Sequence, residues 1–260
     1  MLTVLLALLL AAPGAPVVDW THYHDSAESE QLLRELQARF PDLARLASIG
    51  KSHEGRELWV LELTNRRRGA AGEKPGYYID GGVHSCELAG SEQVLYLAWY
   101  FTAKYGTVPE VTRLLDTRTL YLRPKFNPDG ADYCLRHPDG LRSTVRPWDD
   151  DEDGRLDEDP AEDLDGDGAI TTMRFPTPGG TPVEITEGID NDGDGAINED
   201  GRGGYDMNRN WPADWQPSYI QFGAGDFPFS YPETRCINQA VNAYLLTIKP
   251  PADNTTCPAS

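Results

Sequence analysis

The chain is expected to fold as an α/β domain with a mixed central sheet, flanking helices and an acidic loop insertion, and three observations predict it. Residues Glu57-Leu58-Trp59-Val60-Leu61-Glu62-Leu63 alternate as a half-buried strand does, and a polar turn, Gly50–Arg56, joins them to the apolar run Leu43–Ile49 as a hairpin. A strand at Tyr77–Val83, a long apolar helix through Val94, Leu95, Leu97, Ala98 and Phe101, and a buried-type strand at Thr119–Arg123 then follow one another, which is the order of a parallel β-α-β unit. Residues 147–204 break this pattern with Asp, Gly and few apolar positions, as an insertion would.

Each element has a local cause. Asp25-Ser26-Ala27-Glu28 is a capping box that opens an amphipathic helix with Leu32, Leu33, Leu36 and Phe40 on one face, and Pro41 ends it. His53 sits in the polar turn as an exposed loop residue. A basic, glycine-containing loop, Asn65–Pro75, leads to the Tyr77 strand, and Val111–Leu115 forms a shorter helix before the Thr119 strand. Asn127-Pro128-Asp129-Gly130 has turn chemistry. The last helix opens at Pro232-Glu233-Thr234-Arg235 and runs through Ile237, Val241 and Leu245 to Pro250 and Pro251.

Composition narrows the function classes. With 39% hydrophobic residues, the 260-residue chain can bury a core. Residues 1–15 form an apolar run too short to span a bilayer and end in small residues, which suits a secretory signal and predicts a secreted or periplasmic protein; no second stretch is long and apolar enough to span a membrane. Residues 149–200 hold 19 acidic side chains against 2 arginines, so nearly all of the net charge of −19 belongs to one segment. That disfavours nucleic acid as a partner and favours cations. The four cysteines, Cys86, Cys134, Cys236 and Cys257, have no C-x-x-C spacing and allow three pairings. Nothing in the sequence fixes the oligomeric state.

Two features carry chemistry. Gly81-Gly82-Val83-His84-Ser85-Cys86-Glu87 presents His-x-x-Glu at the end of a strand, and an imidazole and a carboxylate are both good donors to Zn²⁺; the bland alternative is a capping Glu beside a satisfied His. Inside the insertion, Asp149-x-Asp151-x-Asp153-Gly154, Asp163-x-Asp165-x-Asp167-Gly168 and Asp190-x-Asp192-x-Asp194-Gly195 repeat the alternate carboxylates and turn glycine of an EF-hand-like Ca²⁺ loop. The bidentate Glu of the twelfth position is replaced by Pro160, Arg174 and Gly201, so further oxygens must come from elsewhere.

Five motifs in one order resemble the carboxypeptidase A-type zinc carboxypeptidases, nearest to a bacterial subgroup with a similar Asp-rich insertion. They are Ile49-Gly50-Lys51-Ser52 with Glu54-Gly55-Arg56, Gly82–Glu87, Asn127–Gly130, Asp206-Met207-Asn208-Arg209-Asn210-Trp211, and Pro232–Arg235. The resemblance implies a domain over 20–246, with a non-family tail at 247–260. It implies His84 and Glu87 as zinc ligands, and Asn208 and Arg209 as the pair holding a peptide's C-terminal carboxylate. Arg142, with Arg146 as fallback, is implied as the group that polarises the scissile carbonyl. The family usually has Arg where this chain has Cys86. The family's third zinc ligand, a histidine, and its catalytic Glu and Tyr lie downstream of Pro232–Arg235, whereas no histidine follows His137 here, and His22 and His24 fall in a segment the family does not use for zinc. The chain therefore reads as C-terminally incomplete, and as written it is expected to hydrolyse peptides feebly or not at all.

Three functions follow in order of preference. The first is a secreted zinc carboxypeptidase acting on peptide or protein C-termini. The second is a non-catalytic Ca²⁺- and peptide-binding protein built on the same fold, and the third is a purely structural Ca²⁺ domain.

Overall fold

The structure, a computed structural model, describes residues 14–150 and 152–247, with side chains to 244. Most of the predicted signal, Asp151 of the first acidic loop, and residues 248–260 of the tail lie outside the described residues.

The sheet is built as the hydrophobic pattern requires. Strands β1 (Ala44–Lys51) and β2 (Glu57–Leu63) form the expected antiparallel hairpin, with Ala44 opposite Leu63 and Ser48 opposite Trp59. Strand β3 (Gly76–Asp80) runs parallel to β4 (Thr119–Arg123), and β4 is antiparallel to β2, giving the order β1-β2-β4-β3. Alternation along β2 sends Leu61 and Leu63 to one face and Leu58 and Val60 to the other. On the first face, Leu32, Leu33 and Leu36 of α1 (Ser26–Arg39), Val94, Leu95 and Ala98 of α2 (Leu88–Lys104) and Leu115 of α3 (Pro109–Thr117) close the core. On the second, Phe126, Tyr205, Met207 and Tyr231 pack with Ile237. The predicted capping box of α1 is present: the Asp25 carboxylate accepts from the Ala27 and Glu28 amides, and Glu28 accepts from the Asp25 amide. Among the described residues no helix is long and apolar enough to cross a membrane.

Two sequence expectations need correction. Asn127–Gly130 is not a turn but the start of α4 (Pro128–Cys134), where Asn127 is the N-cap, accepting from the Gly130 amide at 3.0 Å, and Pro128 takes the first helical position. Asn, Pro and Asp serve a helix start as well as a turn. The insertion also contains a hairpin that the reading of 147–204 missed, β5 (Thr172–Phe175) with β6 (Val183–Thr186). Its signal is the pair of short alternating runs on either side of Pro176-Thr177-Pro178-Gly179-Gly180.

Helix α5 (Pro232–Thr247) carries a buried carboxyl in its first turn. Glu233 is 1% exposed, accepts from the His53 amide at 3.0 Å, and is pushed up to about 7 by burial. A carboxyl whose folded pKa is raised stabilises in its neutral form, so its contribution is complete below the ordinary value of 4.5 and is lost as pH rises through about 7. Glu233→Gln keeps the shape and the acceptor without the charge. It is expected to match the parent near the ordinary carboxyl pKa and to exceed it at alkaline pH by on the order of 1–3 kcal/mol in urea unfolding. A constant difference across pH would refute the assignment.

Candidate functional site

Strand β3 delivers the chain to the site through two glycines. A Cβ on Gly81 would lie 2.3 Å from the Gly90 carbonyl oxygen, and Gly82 has a φ of +67° with its Cβ direction filled by Ser91 Oγ, so the strand end passes directly against the start of α2. The next residues present His84 and Glu87 together. His84 is 7% exposed, and its Nδ1 lies 2.8 Å from Glu87 Oε1. On the far side of the ring, buried Nε2 makes no hydrogen bond, and Asp206 Oδ1 stands 3.4 Å away. Asp206 in turn accepts from Arg142 Nε at 3.1 Å through Oδ2. One buried carboxylate thus joins the predicted metal ligand to the predicted carbonyl-polarising arginine.

The segment carrying Arg142 is held to the His84 loop by backbone. The amides of Ser85 and Cys86 donate to the carbonyls of Arg142 and Leu141 at 3.2 and 3.1 Å. Ser85 Oγ donates to the Ser143 carbonyl, and Asn127 Nδ2 donates to Ser85 Oγ at 2.9 Å. Cys86 is disulfide-bonded to Cys134 at the end of α4, which selects one bridge among the possible pairings. Crowding here explains Gly130: a Cβ would sit 1.9 Å from Ser85 Oγ and 2.7 Å from Asn127 Nδ2. Gly130→Ala is accordingly expected to push Ser85 aside and destabilise by about 1–3 kcal/mol as an overpacked position. A melting temperature equal to the parent's would count against that packing.

Asn208 and Arg209 follow Asp206 on a short 3₁₀ turn, Met207–Arg209, capped by Asp206, whose Oδ1 accepts from the Asn208 amide at 2.7 Å. Met207 and Asn210 point inward; Asn208 is exposed and Arg209 half-buried, so the predicted carboxylate-binding pair faces outward. Arg142 is also outward, with a side chain 57% exposed. Arg146 is turned elsewhere, its guanidinium 4.5 Å over the Tyr205 ring and 3.4 Å from Asp226. The position-by-position reading missed Asp206, although it stands inside the quoted Asp206–Trp211 motif; the signal was a carboxylate two residues before Asn208.

The donor set at His84 fits zinc as two converging ligands, an imidazole nitrogen and a carboxylate oxygen, with a carboxylate behind the second ring nitrogen to fix the tautomer. Among the described residues no third His, Cys, Asp or Glu completes a three-donor group with this pair.

The acidic loops share one turn geometry. Asp149, Asp163 and Asp190 each accept from the glycine amide five residues on, at 3.0, 2.8 and 3.1 Å. Carboxylate oxygens of Asp163, Asp165 and Glu187 lie within 4.8 Å of one another, as do those of Asp190, Asp192 and Asp194 and those of Asp153, Glu158 and Asp192. Glu187, from beyond β6, supplies an acid that the second loop's twelfth position lacks. Hydrogen bonds from Thr171 and Leu164 hold its pKa below the ordinary value. Asp167 is not in any of these groups.

A family model described as zinc carboxypeptidase matches residues 29–250. Curated relatives include human carboxypeptidase D, 37% identical over 109 residues (42% of this chain, 8% of the relative), and a zinc carboxypeptidase of Saccharothrix mutabilis subsp. capreolus, 33% identical over 116 residues (45% and 26%). The crystal structure of thrombin activatable fibrinolysis inhibitor superposes with a TM-score of 0.58 at 20% identity, covering 86% of this chain and 44% of that one. Carboxypeptidase A from Helicoverpa armigera gives 0.53 at 20% identity, covering 84% and 42%. The chain thus spans less than half the length of each of these proteins.

Proposed function

Because the chain belongs to the zinc carboxypeptidase family, we propose that its site serves the removal of C-terminal residues from peptides, with His84 and Glu87 holding zinc. The observation that carries this reading is the single carboxylate of Asp206 between His84 Nε2 and Arg142 Nε. When bound, zinc supplies Lewis acidity, which activates water and polarises a carbonyl. The protein's own groups do the rest. Asp206 Oδ1 favours the proton on Nε2 and so leaves the Nδ1 lone pair for the metal. Its Oδ2 holds Arg142 Nε, which orients the guanidinium so that its other N–H groups can meet a developing oxyanion. Asn208, exposed, and Arg209, half-buried, stand beside it and bind the terminal carboxylate, for which a guanidinium fork is suited. The apolar segment 1–15 directs the chain to a secreted or periplasmic location, and the acidic loops take Ca²⁺, as hard cations require several oxygens from tight loops.

Two donors hold zinc more weakly than the three of a usual catalytic site. Metal and peptide binding are therefore the most direct readouts of this pair of donors. Metal-free protein titrated with zinc in excess calcium should take up one zinc that His84→Ala and Glu87→Ala each abolish. A free-acid peptide should bind and its C-terminal amide should not. Zinc uptake unchanged in the double variant, or equal binding of acid and amide, would overturn the reading.

A further inference from the structure

Loops 149–159 and 190–200 repeat one eleven-residue pattern, Asp-x-Asp-x-Asp-Gly-x-Leu/Ile-x-Glu-Asp, and exchange their ends. The carboxylate of Asp159, which closes the first loop, accepts from the amides of Asn191 and Asn198 in the other, at 3.0 and 2.6 Å. Asp200, which closes the second, accepts from the Asp150 amide at 3.2 Å through Oδ1, and its carbonyl accepts from the Asp159 amide at 3.1 Å. Both closing aspartates are completely buried. Asp200 Oδ2 is nevertheless without a donor and faces Glu158, whose buried Oε2 also lacks one. Glu199, whose buried Oε2 also lacks a partner, faces Asp159, whose two oxygens are already taken by the Asn191 and Asn198 amides. Asp192, whose side chain is 7% exposed, has a carboxylate oxygen within 4.8 Å of those of Asp153 and Glu158 across the loops, and of those of Asp190 and Asp194 within its own. The nearby cation Arg155 is 61% exposed and comes only to 4.0 Å from Asp192. Buried carboxylate oxygens turned on one another are strongly unfavourable unless the pair shares a proton or a cation sits among them, and a cation is the arrangement that also serves Asp153 and Asp192, whose oxygens lie within 4.8 Å of Glu158.

These loops meet at a neck that leads to the site. Asp157 Oδ1, from the first loop, accepts from the amides of Trp148 and Gly203 at 3.1 and 3.2 Å. The Trp148 ring stands edge-on to Tyr205 at 4.7 Å. The Thr144 amide donates to the Tyr205 carbonyl at 2.8 Å, and the Gly204 amide to Ser143 Oγ at 3.0 Å. The approach is so close that a Cβ on Gly203, whose φ is +98°, would lie 2.1 Å from the Thr144 carbonyl oxygen. One stem continues back to Arg142 and the other forward to Asp206, and these two pair at 3.1 Å.

We propose that Ca²⁺ held between these two loops, with Asp192 shared and Asp200 and Glu158 turned onto it, closes the neck of the insertion and thereby positions Arg142 against Asp206. Calcium then governs the assembly of the carbonyl- and carboxylate-binding arms from beyond Trp148. The inference rests on the reading of the acidic loops as calcium sites, and the test separates the two. Full-length protein freed of calcium on a chelating resin is compared with protein saturated with Ca²⁺, by calcium stoichiometry and by hydrogen exchange in segments 141–148 and 203–209. Ca²⁺ is expected to slow exchange at the Thr144 and Gly204 amides by roughly ten-fold or more, since closure must precede protection. Asp192→Asn and Asp200→Asn should remove both the bound calcium and the slowing. Glu187→Gln, which belongs to the other loop, should lose calcium but keep the slowing. Far-UV circular dichroism reports whether each variant folds, and the parent with and without Ca²⁺ decides the matter by itself. Calcium bound without any change in exchange overturns the coupling and leaves the calcium reading standing. No calcium bound overturns both, and slowing that survives in Asp192→Asn and Asp200→Asn overturns the assignment to these loops.

Discussion

Replacing Asp206 by Asn is expected to weaken zinc binding by roughly 10–100-fold while leaving the fold intact, the range found when a carboxylate behind a ligating histidine is removed. Asparagine keeps the oxygen that caps the Met207–Arg209 turn, so the backbone has no reason to move. What is lost is the negative charge 3.4 Å from His84 Nε2 and 3.1 Å from Arg142 Nε. Without it the imidazole is a poorer donor and the arginine loses its anchor. Zinc titration of Asp206→Asn alongside Arg142→Ala checks this, because only the first should lower metal affinity. Equal affinity in Asp206→Asn and the parent would remove Asp206 from the site.

Asn210→Ala should be the most damaging single truncation on this side of the sheet, costing about 3–5 kcal/mol in urea unfolding, as the breaking of a buried polar network does. Asn210 is wholly buried. Its Nδ2 donates to the carbonyls of Ala224 and Phe227 and to Ser230 Oγ at 2.8–2.9 Å, and its Oδ1 accepts from the Tyr231 amide and Thr234 Oγ1 at 3.2 and 2.8 Å. One amide therefore ties the Asp206–Asn210 turn to the 224–230 loop and to the first turn of α5. Asn210→Asp retains the acceptor but sets a charge against the Ala224 and Phe227 carbonyl oxygens, and should fare no better. A loss below about 1 kcal/mol for alanine would mean that water replaces the side chain freely.

Local patterns that depend on neighbours in sequence were legible. The Asp25 capping box and the β1–β2 hairpin follow from period and punctuation, because each satisfies its own hydrogen bonds within a short stretch; the parallel β3–β4 unit, whose ladder joins residues 43 apart, follows from the strand-helix-strand order. Asn127–Gly130 fits two local structures as a residue set, and its partners lie outside the stretch: Ser85 and Ser143 on Asn127, and Ser52, Glu54 and Arg56 on Asp129. The hairpin β5–β6 went unseen since its strands are short and their side chains half to fully exposed, leaving little hydrophobic signal. At the site, His84 and Glu87 are three residues apart and could be paired from sequence alone. Asp206 lies more than a hundred residues on, and its role became visible only when the Arg142 segment and the 3₁₀ turn met around it. Glu187 likewise joins Asp163 and Asp165 across a hairpin rather than along the loop.

The bridge between Cys86 and Cys134 places a reducible bond one residue from Glu87, the proposed zinc ligand. If zinc favours the oxidised loop, thermodynamic reciprocity requires that zinc make the bridge harder to reduce by the same factor by which reduction weakens zinc. Thiol reductants and chelators then cease to be independent reagents for this protein, and a preparation exposed to one will report falsely on its affinity for the other's target.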